Sequence, residues 1–376
     1  MLACVLLRRL TGRAPESLTY LLEHLDEHTN RYGYFGTIAD GESVSEQQLS
    51  GNGWFLRGLC EYYIDSPSRK LREKIESIAE NLYFKSEALY AKYPVTGIRV
   101  AGGVSGNTVE ETQGWKLSSD VGCAFIALDG LTATYALFPS ERLKKFIDDC
   151  IRLFLEIDKC AVKMQTHAML TCCRGILRMY GITREAGYLR SAQDIFSLYT
   201  AHGMTLTYEN FNWFGHEDSW TEPCAVIDSL IVALDLYEAT ADTTYRTLAR
   251  RIWLNGFRLC QRDNGGAGTN KCVTNHNGIW SINTYEAPFC CSMRTAEGLY
   301  RAGQSLDILL TGIDESGGCR PVQDEYGRWI CGDRLFCSVD GNKLEVLPNI
   351  LKIGEDSLKK KRLQIVFADG KSAASH

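Results

Sequence analysis

The sequence has no cationic excess: 41 Lys and Arg stand against 46 Asp and Glu, for a formal net charge of -5 and a pI near 5.9. Nucleic-acid affinity leans on clustered Lys and Arg that displace counterions from phosphates, so a general phosphate-binding surface is excluded. The basic run LKKKR at 358–362 reads as a short solvated patch. Nor does any stretch reach the roughly 18 consecutive apolar residues of a membrane span. The opening MLACVLLRRLTGR places its apolar run before its arginines, the reverse of a secretory signal. The expectation is a cytoplasmic protein with neither nucleic acid nor membrane as partner, a homodimer being left open. A third absence is Cys-x2-Cys spacing. Fifteen cysteines without that pattern, in a long chain read as intracellular, point to reduced thiols or a metal rather than to a disulfide framework. Most of them should serve as small buried apolar residues.

What is present is helical periodicity, over 53–64, 68–87, 121–137, 140–157, 165–180, 184–200, 224–239, 243–260 and 292–306. Four segments end alike: an apolar helix closing near Tyr63, Tyr135, Tyr180 or Tyr237, a short polar turn, then an amphipathic helix. Such hairpins cannot bury their apolar faces singly and must stack. Their irregular spacing and long inserts suit a closed ring better than an open array. The expected fold is therefore mainly α, an (α/α)6 barrel or toroid of helical hairpins with a small C-terminal β segment. Residues 1–310 form the α/α-barrel catalytic domain in this reading. Residues 311–376 form a short β-rich extension, either packed on the helical body or the remnant of a truncated sandwich. Within it RLFCSV and NKLEVL around a DG turn predict a hairpin, and RLQIVFADG a further strand.

Two adjacent cysteine pairs invite opposite readings. Cys172 and Cys173 lie inside the unbroken helix QTHAMLTCCRGILRMY, where core packing wins. Cys290 and Cys291 follow Pro288 and open a helix, where free backbone N–H groups and the positive end of the dipole lower a thiol pKa. HEDSWTEPCAVIDSL, at 216–230, adds Glu222 and Cys224 at the head of another apolar helix. One oxygen and three sulfurs make a tetrahedral zinc set, with core packing as the alternative.

These residues resemble a known family. Glu-x-Cys opening one helix, Cys-Cys opening a later one, and Glu-x-Phe upstream are similar to the bacterial β-L-arabinofuranosidases, glycosidases with a cysteine nucleophile. In this chain the upstream motif reads Tyr208, Glu209, Asn210, Phe211 in place of the family's Gly-Glu-Ala-Phe, and Cys-Cys-Ser replaces Cys-Cys-Pro. The resemblance implies an (α/α)6 barrel and a Zn2+ ion held by Glu222, Cys224, Cys290 and Cys291. It makes Cys290 the nucleophile, Glu209 the general acid and base, and His167 a contact to a carbohydrate substrate.

The loop 208–220 also carries Tyr208, Phe211, Trp213, Phe214 and Trp220 interleaved with Asn212, His216, Glu217 and Asp218. Flat apolar faces beside hydrogen-bonding groups suit a sugar ring, and Trp213, His216 and Trp220 are candidate substrate contacts; a hydrophobic plug is the competing reading. The Gly- and Asn-rich loop 261–289 is long for a connector and leads to Cys290. It offers Trp280, Tyr285 and His276 as contacts, Cys272 as a rival ligand and Glu286 as a rival carboxylate. The alternatives to a thiolate glycosidase are a non-catalytic toroid with a structural zinc that binds carbohydrate or protein, and a carboxylate-only α/α-barrel glycosidase working through Glu209, Glu217 or Asp218.

Overall fold

The computed structural model describes residues 1–97, 99–101, 106–216, 219–257, 260, 267–269, 272, 285–286 and 290–310. Beyond them it gives the backbone of the strands Val322–Gln323, Trp329–Cys331, Arg334–Val339, Asn342–Val346, Gln364–Val366 and Ser372–Ala374. The chain divides into two compact units that share the sequence unevenly. The first comprises Met1–His202, Trp213–Gly215 and Ala296–Tyr300; the second comprises Gly203–Asn212, His216–Thr295 and Arg301–His376.

Three helical hairpins make up most of the first unit: Glu46–Asp65 with Arg69–Ile78, Ala127–Leu137 with Glu141–Glu156, and Thr166–Thr183 with Ala186–His202. The turns after Tyr63 and Tyr135 supply the start signal of the next helix. Ser68 accepts from the Leu71 N–H and Ser140 from the Leu143 N–H, side-chain caps for otherwise orphaned donors. In the second helix of the middle pair, Leu143, Phe146, Ile147, Cys150, Ile151 and Phe154 are buried, the i, i+3, i+4, i+7 stripe of an amphipathic helix. The first helices are different: every residue from Thr166 to Leu177 is buried. Cys172 and Cys173 lie in that run, completely buried, as core packing requires. Close approach explains the small residues here, since a Cβ on Gly130 would come within 2.3 Å of the Gly53 carbonyl oxygen.

Buried carboxylates and the arginines that meet them also bind these helices. Arg178 donates to Asp129 Oδ1 at 2.8 Å and to Thr132 Oγ1 at 2.8 Å, Arg57 Nε lies 3.6 Å from Asp129, and Arg174 pairs with Glu297. The N-terminal helices Leu2–Thr11 and Glu16–Glu23 belong to this unit. So does a three-stranded sheet in which Trp115–Ser118 pairs parallel with Val44–Ser45 and antiparallel with Thr108–Thr112.

The second unit repeats the hairpin with Pro223–Thr240 and Thr243–Arg251, the latter capped by Asp242 Oδ1 on the Thr244 N–H. Here Pro223 to Leu234 are buried without interruption. Two segments expected to continue as α-helix do not. Arg69–Ile78 passes into a π turn at Ala79–Tyr83, and Thr243–Arg251 into one at Ile252–Phe257. Both turns hold an asparagine whose side-chain amide takes the carbonyl four residues back: Asn81 on Ser77, and Asn255 on Arg251. That side-chain bond competes with the regular backbone ladder. In the C-terminal region Arg334–Val339 and Asn342–Val346 form the expected antiparallel hairpin, with Val339 opposite Asn342. Gln364–Val366 pairs antiparallel with Ser372–Ala374. Among the described residues no helix is long and apolar enough to cross a membrane.

Candidate metal centre

Two helix starts in the second unit bring the thiols together. Glu222 is the N-cap of Pro223–Thr240, with Pro223 in the first turn, where the fixed φ of proline suits helix entry. Its backbone N–H donates to Asn210 Oδ1 at 3.0 Å. The second helix, Cys290–Gln304, begins at Cys290 itself, two residues before the periodicity suggests. Each helix thus offers its first turn, where the dipole favours anionic side chains.

The Glu222 carboxylate oxygen and the sulfurs of Cys224, Cys290 and Cys291 all lie within 4.8 Å of one another. Cys224 Sγ donates to Cys291 Sγ at 3.5 Å, and Cys290 and Cys291 sulfurs are 3.9 Å apart. Zn–S bonds of about 2.3 Å in a tetrahedron put sulfurs roughly 3.8 Å apart, so the spacing and the soft donor set both fit zinc. Burial, and then contact with Cys290 and Cys291, push the Cys224 thiol well above its ordinary pKa. For Cys291 the hydrogen bond from Cys224 lowers the pKa, but contact with Cys290 and burial outweigh it and leave that thiol raised as well. Three sulfurs this close cannot all ionise unless a cation compensates them.

Exposure separates the three thiols. Cys224 and Cys291 are buried, whereas Cys290 is half-buried. Ala267 packs against Cys224 and Cys291, and its N–H donates to Ser292 Oγ at 3.0 Å. Cys272, the rival ligand, is buried but belongs to a different set of contacts: its N–H donates to the Ser219 carbonyl and its thiol to the Asn210 carbonyl at 3.3 Å.

Glu209 lies fully buried in the same unit. Thr207 Oγ1 donates to its Oε2 at 2.9 Å, and its own N–H donates to Thr205 Oγ1 at 3.1 Å. The preceding Tyr208 sits at φ 60, a left-handed backbone that a tyrosine adopts only when its surroundings enforce it. Here the Tyr208 carbonyl lies so close to Gly256 that a Cβ there would meet it at 2.6 Å, and Arg251 Nη1 donates to the Tyr208 hydroxyl at 3.3 Å. Thr205, Thr207 and Asn210 are functional candidates that charge and cysteine spacing do not single out; the Thr-x-Thr-x-Glu pattern is the one sequence signal of the two threonines.

The remaining predicted contacts are distributed as follows. His216 and Trp220, in the second unit, are half-buried. In the first unit His167 is buried, its ring 5.4 Å from that of Trp54 and its Nδ1 3.3 Å from Thr171 Oγ1. Trp213 is buried in the same unit and donates its indole N–H to the Ser119 carbonyl at 3.0 Å. Near them Gln47 and Gln165 both donate to Asp120, at 2.9 and 3.2 Å, polar residues that the sequence reading passes over. Glu217, Asp218, His276 and Trp280 lie outside the described residues, as do the side chains of Tyr285 and Glu286.

No family model matches the chain, and no curated protein matches it. Among solved structures it is similar to cellobiose 2-epimerase from Bacillus thermoamylovorans, with 14% identity and a TM-score of 0.54 over 80% of this chain and 85% of that one. It is similar to a GH76 α-mannanase from Bacteroides thetaiotaomicron, with 14% identity and a TM-score of 0.52 over 82% and 84%. It is also similar to a GH127 β-arabinofuranosidase, with 13% identity and a TM-score of 0.52 over 91% of this chain and 55% of that one. The fold class is (α/α)6. Likeness at such identities establishes the fold alone, and these (α/α)6 neighbours are carbohydrate-active enzymes. The chain spans about half the length of the arabinofuranosidase that it matches.

Proposed function

We propose that the protein is a retaining glycoside hydrolase that removes a non-reducing terminal β-L-arabinofuranoside or a related sugar. The observation that carries this reading is the convergence of Glu222, Cys224, Cys290 and Cys291 donor atoms within 4.8 Å. Residues 1–310 are its catalytic body and 311–376 a β-rich extension. Zinc bound by these four residues would supply a positive charge that keeps the thiols deprotonated at neutral pH.

Cys290 is the nucleophile in this scheme because it is the half-buried thiol of the three, able to reach a substrate carbon. Its thiolate attacks the anomeric carbon, forming a C–S bond as the glycosidic C–O bond breaks. Glu209 gives its proton to the departing oxygen. The Glu209 carboxylate then takes a proton from water, whose oxygen displaces the sulfur, so two inversions yield net retention. Thr207 fixes the carboxyl's orientation throughout, and His216 and Trp220, of the same unit, are assigned to the sugar.

The test is nitrophenol release from a panel of aryl furanosides and pyranosides, comparing the natural chain with Cys290→Ala. Cleavage of the β-L-arabinofuranoside that disappears in the variant supports the scheme. Cleavage that survives moves the chemistry to carboxylates. A folded, zinc-loaded protein that cleaves nothing leaves a structural zinc in a binding toroid. The epimerase likeness covers more of its partner's length than the arabinofuranosidase likeness does, so the panel also includes a reducing disaccharide assayed for epimerisation.

A further inference from the structure

The two helices that carry the donor cluster are joined by a ladder of contacts at almost constant sequence offset. Arg294 pairs with Asp228 across 66 residues. Arg301 donates to Asp235 at 2.9 and 3.2 Å, again across 66 residues. The Cys224 to Cys291 contact spans 67. A constant offset means that the helices run in the same direction with one register. Asp228 follows Cys224 by one helical turn and Arg294 follows Cys290 by one turn, so the ion pair lies on the same helix faces as the thiols, directly beyond them. The Arg301–Asp235 rung stands two turns further on and is more exposed, at 15% and 32%, than the Arg294–Asp228 rung at 5% and 0%.

A slip of one residue between two helices shifts the contact by about 1.5 Å and turns the side chain by about 100°. Metal–ligand distances tolerate about 0.2 Å. Apolar packing alone does not forbid such a slip along Pro223–Leu234, where small and branched residues are buried without interruption. A buried ion pair gives little net stability, but it admits one register, because any other leaves a charge uncompensated.

We propose that Asp228 and Arg294 are positioning residues for the donor cluster, fixing the register in which Cys224 meets Cys290 and Cys291. The inference rests on the cluster's being a metal site, and not on the sugar or the reaction assigned to it.

The probe is cobalt(II) added to the metal-free full chain, read by the sulfur-to-cobalt charge-transfer band and by affinity from titration, with thermal unfolding followed in parallel. Asp228→Asn breaks the pair and is expected to weaken cobalt binding about 10–100-fold, as loss of groups that orient metal ligands typically does. Since a buried unpaired arginine also threatens folding, the decisive variant is Asp228→Leu with Arg294→Met, which removes both charges and is expected to unfold no earlier than the natural chain. Weakened cobalt binding in that stable double variant, with Asp235→Asn within about threefold of the natural chain, supports the assignment. Natural cobalt affinity in the double variant overturns it while leaving the metal site standing. A natural chain with no cobalt–thiolate band overturns the metal site and the positioning role together. Glycosidase activity decides neither point, so a cobalt-binding chain that cleaves no sugar refutes only the proposed reaction.

Discussion

Two clusters of buried polar groups, one in each unit, are built in opposite ways. In the first, Asp129 is met by Arg178 and Arg57, and Glu297 by Arg174, so both of these carboxylates face a guanidinium and their charges are neutralised by the chain itself. In the second, Glu222 converges with three thiols whose pKa values are driven up by burial and by one another. The first arrangement is complete as a set of side chains and serves register and specificity. The second gathers donors that take the same sign on ionising, which a bound cation would neutralise. Similar helical hairpins therefore carry a structural polar core in one place and a candidate reactive one in the other.

Each half of that comparison can be broken separately. The largest effect is expected from Cys290→Ala, which should lower kcat by at least about 10⁴-fold, as loss of a covalent nucleophile does, with far-UV circular dichroism unchanged; steady-state kinetics on the responsive aryl glycoside measures it. Next, Asp129→Asn should cost about 3 kcal/mol of unfolding free energy, since it removes the buried carboxylate that Arg178 binds and leaves that guanidinium with neutral acceptors, while zinc content by elemental analysis stays at the natural value. A drop in zinc content there would mean that the two polar cores are not independent. Chelation should do the reverse. Removing a metal present at about 100 times its Kd lowers stability by about 2.7 kcal/mol, visible as a fall in Tm that added zinc restores and that Cys224→Ser no longer shows.

The smallest effect is expected at the surface. Lys74 and then Lys70 hydrogen-bond to Asp26 and hold its carboxyl down, to about 2 from the usual 3.8. A carboxylate with a depressed folded pKa stabilises above its unfolded value and loses that contribution as pH falls through about 2. Because the Asp26 side chain is 58% exposed, solvent screening keeps the term below about 1 kcal/mol. Urea unfolding of Asp26→Asn should therefore differ slightly from the natural chain at pH 6 and converge with it toward pH 2. A difference as large as that of Asp129→Asn would remove burial as the variable that separates them.

Much of the site was legible because it is local. Glu222 and Cys224 bracket a proline at a helix start, and Cys290 and Cys291 open another, so both pairs could be read from residue type and punctuation. The hairpins were legible for the same reason: an apolar run and a tyrosine recur in order, followed in three of the four by a capping Ser or Asp. The π turns at 79–83 and 252–257 were not, because periodicity does not reveal that Asn81 and Asn255 will take a carbonyl from the ladder. Nor was the strained backbone at Tyr208, which exists because Gly256, far along the chain, admits its carbonyl.

The sequence by itself determined which helices are apolar on every side and which on one, since that follows from residue spacing and the cost of exposing apolar surface. It also determined that three thiols and a carboxylate stand at helix starts. Only the tertiary structure decided that these four meet, that Cys290 is the accessible thiol, and that Asp228 and Arg294 stand one turn beyond them. Those facts depend on the register between helices 66 residues apart, and register is set by packing and ion pairing across the core, which no local pattern contains.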